Sequence, residues 1–148
     1  MTQRISLAEL VPAGYAAVAQ LEKYGRSTVD PIVLHLIKIR ASVLNGCAFC
    51  IDMHTTEALA DGENQRRLFA VAAWREAEDF FTPKERAALA LTDAVTRIGD
   101  GGVPDDVWNE AVEQWSEEEV ANLILVIGTI NVWNRIVIST RTQPPPLS

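Results

Sequence analysis

Helix signals recur along this chain and strand signals are scarce, and two of its segments are apolar on more than one face. Ile32, Val33, Leu34, Leu36, Ile37 and Ile39 surround one predicted helix. Val120, Leu123, Ile124, Leu125, Val126, Ile127, Ile130, Val132 and Trp133 surround another. A helix that is hydrophobic all round is central in its fold or covered by another chain. One layer of neighbours in a small protein covers two such helices poorly, so a homo-oligomer is expected.

The helix beginnings are marked by mechanism. Ser6-Leu7-Ala8-Glu9, Thr82-Pro83-Lys84-Glu85 and Ser116-Glu117-Glu118-Glu119 match the capping box, in which a hydroxyl and a Glu three residues later satisfy free amides. Asp30-Pro31 and Val103-Pro104 add two more starts, because proline lacks the amide hydrogen that the first helical position leaves unused. Helices are expected near residues 13–24, 31–44, 47–60, 63–73, 83–98, 104–114 and 117–138. Asn45-Gly46, Asp61-Gly62, Gly99-Asp100-Gly101-Gly102 and the tail Gln143-Pro144-Pro145-Pro146 read as breaks or loops. None has the character of an interdomain linker, and no internal repeat is evident, so 1–148 reads as a single all-α domain of six to seven helices.

Composition narrows the partners. Thirteen Lys and Arg against twenty Asp and Glu give a net charge of -7, with no basic cluster longer than Arg66-Arg67. Nucleic acid and anionic membranes are poor partners for such a surface, since both need positive charge to displace counterions. The N-terminus has no continuous apolar stretch of the secretory kind. The apolar run Leu123 to Ile127 is far short of the roughly 20 residues of a membrane span. A cytoplasmic protein is expected.

The chemistry concentrates in Asn45-Gly46-Cys47-Ala48-Phe49-Cys50-Ile51-Asp52-Met53-His54, which holds both cysteines of the chain. A disulfide stabilises mainly by closing a long loop in the unfolded chain, and two cysteines three positions apart close almost none. In a reducing compartment such a pair reads as reactive or metal-binding. The Asn-Gly break puts the cysteines in the first turn of a helix, where free amides and the macrodipole favour thiolate over thiol. At about 100° per residue, Cys47, Cys50 and His54 fall within an arc of roughly 60°. One face thus carries two sulfurs and an imidazole able to accept a thiol proton.

Three readings of the pair stand at this point. Two small residues of a buried helix need no chemistry. A zinc site could draw on Cys47, Cys50, His54 and His35, although a second CxxC or a close pair of histidines is missing. The third reading is a redox pair. His35 lies on the preceding helix, and an antiparallel hairpin is expected to bring it beside the cysteines.

The run from Ile37 to His54, with its CxxCxxxH core, resembles the alkylhydroperoxidase AhpD-like family of the carboxymuconolactone decarboxylase superfamily. Ile130-Asn131-Val132-Trp133-Asn134-Arg135 is similar to the closing segment of the same proteins. The resemblance implies an AhpD-like helical fold with the CxxC at the start of a central helix, assembly into trimers or hexamers, and peroxide reduction. It maps Cys50 to the peroxidatic cysteine, Cys47 to the resolving one and His54 to the proton-relay histidine. Helix position alone favours Cys47 as the more acidic thiol, so the two arguments differ on the attacking sulfur. Where the best-known peroxidases carry a relay glutamate this chain has His35, and where they carry a second histidine between the cysteines it has Phe49. His35 is expected to take the glutamate's place. The implied substrate is a hydroperoxide and the implied partner a thiol or dithiol reductant protein, with no metal or organic cofactor. A cofactor-free lyase of the decarboxylase kind and a non-catalytic redox-sensing oligomer are the alternatives.

Overall fold

The computed structural model describes residues 1–147. Eight α-helices are present among them: α1 (Leu7–Leu10), α2 (Pro12–Thr28), α3 (Pro31–Asn45), α4 (Ala48–Ala60), α5 (Gln65–Ala70), α6 (Pro83–Thr96), α7 (Asp105–Gln114) and α8 (Glu117–Thr140). Two short 3-10 segments, Val71–Glu76 and Glu78–Phe80, join α5 to α6. No β-strand occurs among the described residues, and the all-α expectation holds.

The starts behave largely as the capping chemistry requires. Thr82 and Ser116 each accept the amide of the residue three positions on, and Glu85 and Glu119 return the bond. Asp30 caps α3 by accepting from the Ile32 amide at 2.9 Å, with Pro31 in the first turn. Pro104 stands one position earlier than expected, as the residue before α7, and among the capping boxes Ser6 is the exception. Its side chain caps nothing, and α1 is a four-residue turn without a buried residue to anchor it. The helix expected over 63–73 also stops early, because Ala73 leaves helical geometry at φ -127° and ψ 39°. The guanidinium of buried Arg40 takes the Ala72 carbonyl at 2.7 Å, so a tertiary contact overrides alanine's helix preference there.

α3 is the central element, buried without interruption from Val33 to Ser42. On one side Val33, Leu34 and Ile37 join Ala88 and Leu91 of α6, Ala111 of α7, and Leu123 and Ile127 of α8 in one apolar cluster. On the other, Leu36 and Ile39 meet Ala58 of α4, Leu68, Val71, Trp74 and Leu89. α2 crosses α8 so closely that a Cβ on Gly25 would stand 2.9 Å from Val126 Cγ2. α8 is long and apolar enough to span a membrane by length and composition. Here it packs against α2, α3 and α6, with Leu123, Val126, Ile127 and Ile130 in the interior.

A sharp turn connects α3 to α4. Gly46 adopts φ +72°, ψ 36°, the left-handed region open to glycine. The Cys47 amide donates back to the Ser42 carbonyl at 2.9 Å and the Gly46 amide to Val43 at 3.2 Å, the paired bonds that end a helix in a Schellman motif. α4 then runs antiparallel to α3 with Cys47 as its first cap.

Candidate active site

Cys47 and Cys50 are joined in a disulfide, with their Cα atoms 5.3 Å apart, at the N-terminus of α4. Cys47 Sγ accepts the Cys50 amide at 3.3 Å, so sulfur stands where a serine or aspartate oxygen caps most helices. Both residues are buried, at 1% and 2% exposure, and of the two only Cys50 borders a cavity. That cavity, about 420 Å³, is lined by Cys50. Its walls are mainly apolar: Ile5, Leu7, Tyr15, Phe49, Met53, Trp133, Ile136 and Val137. Tyr15 and Trp133 meet edge to face with ring centroids 5.2 Å apart. Phe49, between the two cysteines, is thus part of the wall.

His54 lines the same cavity one helical turn beyond Cys50 and is buried. Its Nδ1 faces Glu57 Oε2 at 3.3 Å; with Nδ1–H donating, Nε2 keeps its lone pair as the basic nitrogen. Burial pushes its pKa down to about 4, and the positive charge of Lys38 adds to the effect against the opposing pull of Glu57. At neutral pH the imidazole is uncharged, with Nε2 open as a hydrogen-bond acceptor.

Four charged residues behind His54 were not foreseen from the sequence. Glu57 pairs with Arg26 at 3.0 Å, Arg26 with Glu22 at 2.8 Å, and Glu22 with Lys38, whose side chain is 2% exposed. Desolvation holds the Lys38 ammonium below its ordinary pKa even against the attraction of Glu22. Desolvation raises Glu22, but the hydrogen bond and charge of Lys38, with Arg26, outweigh it and hold that carboxyl below the ordinary range. Two acids and two bases therefore balance around the imidazole, and Glu22 and Arg26 reach the cavity wall. The available sequence signal was Lys38 itself. A lysine within the mostly apolar segment PIVLHLIKIR has to find an acid.

His35 is not beside the cysteines, contrary to the expectation above. Because α3 and α4 are antiparallel, a residue near the start of α3 meets the end of α4. His35 Nε2 donates to Asp61 Oδ2 at 2.7 Å, eleven residues past Cys50, or about 16 Å along the helix axis. Its Nδ1 is buried without a hydrogen-bond partner. The same placement separates His35 from the set a four-ligand zinc site would use, and no group of three or more metal-binding side chains occurs among the described residues.

Helices alone, a central antiparallel hairpin and a buried CxxC disulfide under an apolar cavity define a class of small all-helical CxxC protein. The profile of the carboxymuconolactone decarboxylase family matches residues 9–94, and the chain belongs to that family. It is 44% identical over 140 residues to the uncharacterized protein YdfG of Bacillus subtilis, covering 94% of this chain and 95% of that one. A crystal structure of an Agrobacterium tumefaciens protein of unknown function, described as a candidate AhpD antioxidant-defence protein, superposes with a TM-score of 0.94. It shares 41% identity and covers 99% of this chain and 100% of its own. The debrominase Bmp8, solved with 2,3,4-tribromopyrrole, shares the fold at a TM-score of 0.81 and 20% identity, over 93% of this chain and 73% of its own.

Proposed function

We propose that this protein is a thiol-dependent hydroperoxide reductase. The observation that carries the reading is the burial of the Cys47–Cys50 disulfide with Cys50 on the cavity wall and a neutral His54 on the same helix face. In the dithiol form, His54 Nε2 takes the Cys50 proton as the sulfur attacks, and the free amides of the first turn stabilise the developing thiolate. The thiolate sulfur attacks one peroxide oxygen, the O–O bond breaks, and the departing alkoxide takes the proton back from His54 as an alcohol. Cys50 is now a sulfenic acid. Cys47 sulfur attacks it; the S–O bond breaks, and the hydroxide leaves as water with the Cys47 proton. An external dithiol supplies the two electrons and two protons that restore the pair.

Cavity placement supports Cys50 as the attacking sulfur, in agreement with the family resemblance and against helix position alone. Cys47, capping the helix from the α3 turn, suits the resolving role. The test is peroxide-dependent turnover with a dithiol reductant in wild type, Cys47→Ser and Cys50→Ser. Both variants should lose turnover, and dimedone should label Cys50 in Cys47→Ser but not Cys47 in Cys50→Ser. A wild type inert to every hydroperoxide overturns the reading. Turnover of a carboxymuconolactone-type substrate by a Cys47→Ser/Cys50→Ser variant would replace it with the lyase alternative.

We also propose self-assembly into a trimer or hexamer. Leu125, Val132 and Ile138 of α8 are each about 40% exposed, an apolar residue set that a second copy would cover. A monomer by light scattering at micromolar concentration would reject this.

A further inference from the structure

The α8 segment Ile130–Arg135 takes no part in the chemistry above, yet it runs behind the cysteine turn. Asn134 is fully buried and uses both ends of its amide. Its Nδ2 donates to Ser42 Oγ at 3.0 Å, and its Oδ1 accepts from Asn45 Nδ2 at 2.9 Å. The Asn45 amide also donates to Asn131 Oδ1 at 2.9 Å, and Asn131 is itself held by Thr96 Oγ1 at 3.0 Å and the Ile127 carbonyl at 2.9 Å.

The two residues gripped by Asn134 bound the last turn of α3. Ser42 supplies the carbonyl that receives the Cys47 amide, and Asn45 is two residues before Cys47. A buried side-chain amide is costly unless satisfied, and this one is satisfied by the two ends of that turn.

We propose that Asn134 is a positioning residue for the cysteine pair: through Ser42 and Asn45 it clamps the end of α3 and holds Cys47 at closing distance from Cys50 whether or not the sulfurs are bonded. A thiol held in place loses little freedom when the bond forms, so the clamp raises its effective concentration toward Cys50. The inference rests on the redox reading of the pair, but its test needs no peroxide.

The measurement is the equilibrium of the pair with dithiothreitol. Oxidised dithiothreitol takes two electrons and two protons from the Cys47 and Cys50 thiols, forming the protein disulfide and the reduced reagent. The disulfide fraction is read by alkylation and mass spectrometry in wild type, Asn134→Leu, Asn45→Ala and Ala111→Gly. The last variant loosens buried α7, away from the cysteine turn. Asn134→Leu and Asn45→Ala should each lower the constant for disulfide formation about tenfold, a shift of about 30 mV for this two-electron couple. Ala111→Gly should leave it unchanged while lowering the Tm. If Asn134→Leu does not fold, Asn45→Ala decides the matter, since it leaves the Asn134 to Ser42 bond in place. A wild-type constant in Asn45→Ala, or an equal shift in Ala111→Gly, overturns the proposal. A wild type without peroxidase turnover would sink the functional reading and leave this equilibrium intact, so the two failures are distinguishable.

Discussion

Lowering the pH from 7 to 4.5 is expected to weaken the folded state by about 2 to 3 kcal/mol through His54 alone. The side chain is buried, and its pKa falls from 6.5 to about 4 on folding. Between those values the unfolded chain binds a proton that the folded chain refuses, so stability rises with pH across the window. The contribution is complete above about pH 6.5 and is lost as pH falls toward 4. At pH 4.5 the unfolded imidazole is about 99% protonated and the folded one about a quarter, and the ratio of the binding polynomials gives the quoted loss. The assay is denaturant unfolding followed by fluorescence of the buried Trp74 and Trp115, at fixed protein concentration with the disulfide intact. His54→Gln removes the titration. Glu22 and Glu57, whose folded pKa values are lowered, contribute stability above the unfolded carboxylate range and lose it as pH falls further, so their effect lies mainly below this window. The wild-type stability should therefore fall more steeply than that of His54→Gln between pH 6.5 and 4.5. Parallel curves, or an NMR titration of His54 at an ordinary histidine pKa, would refute the reasoning.

Three further outcomes follow from the packing. Lys38→Met removes a positive charge that disfavours the imidazolium, so the His54 pKa should rise, while Glu57→Gln removes a negative one and should lower it; both are read by NMR titration. His35→Ala should leave the rate of Cys50 oxidation unchanged while destabilising the fold by about 1–3 kcal/mol, because His35 is bonded to Asp61 at the opposite end of α4; a slowed oxidation would reinstate it in the relay. Gly25→Ala should lower stability by about 1–2 kcal/mol despite alanine's better helix propensity, since its Cβ meets Val126, and Val126→Ala in the same chain should recover part of the loss in thermal unfolding.

What could be read in the sequence was what neighbouring residues decide among themselves. The capping pairs Thr82 with Glu85 and Ser116 with Glu119, the proline after Asp30, and the Asn45-Gly46 break all act over four residues or fewer, and each appears where expected. The Ser6 to Glu9 pattern has the same letters, but α1 has nothing buried beneath it to sustain a longer helix. Cys47, Cys50 and His54 share a face because helical periodicity alone puts them there. The charged group behind His54 was out of reach for the opposite reason: Glu22 and Arg26 come from α2, and their neighbours depend on how α2 lies against the hairpin. His35 was misplaced by a matter of direction, since an antiparallel hairpin pairs the start of one helix with the end of the next.

The Lys38–Glu22 pair bears on which relatives of this protein can arise. Removing one member of a buried ion pair strands the other charge, at a cost of about 3–5 kcal/mol, a large share of the 5–15 kcal/mol that holds a typical domain together. A lineage altering either position alone would cross a valley in fitness, whereas exchanging both for well-packed apolar residues can restore stability. Positions 22 and 38, distant in sequence, should therefore vary together or stay fixed, and the charge environment of His54 should be inherited as a block.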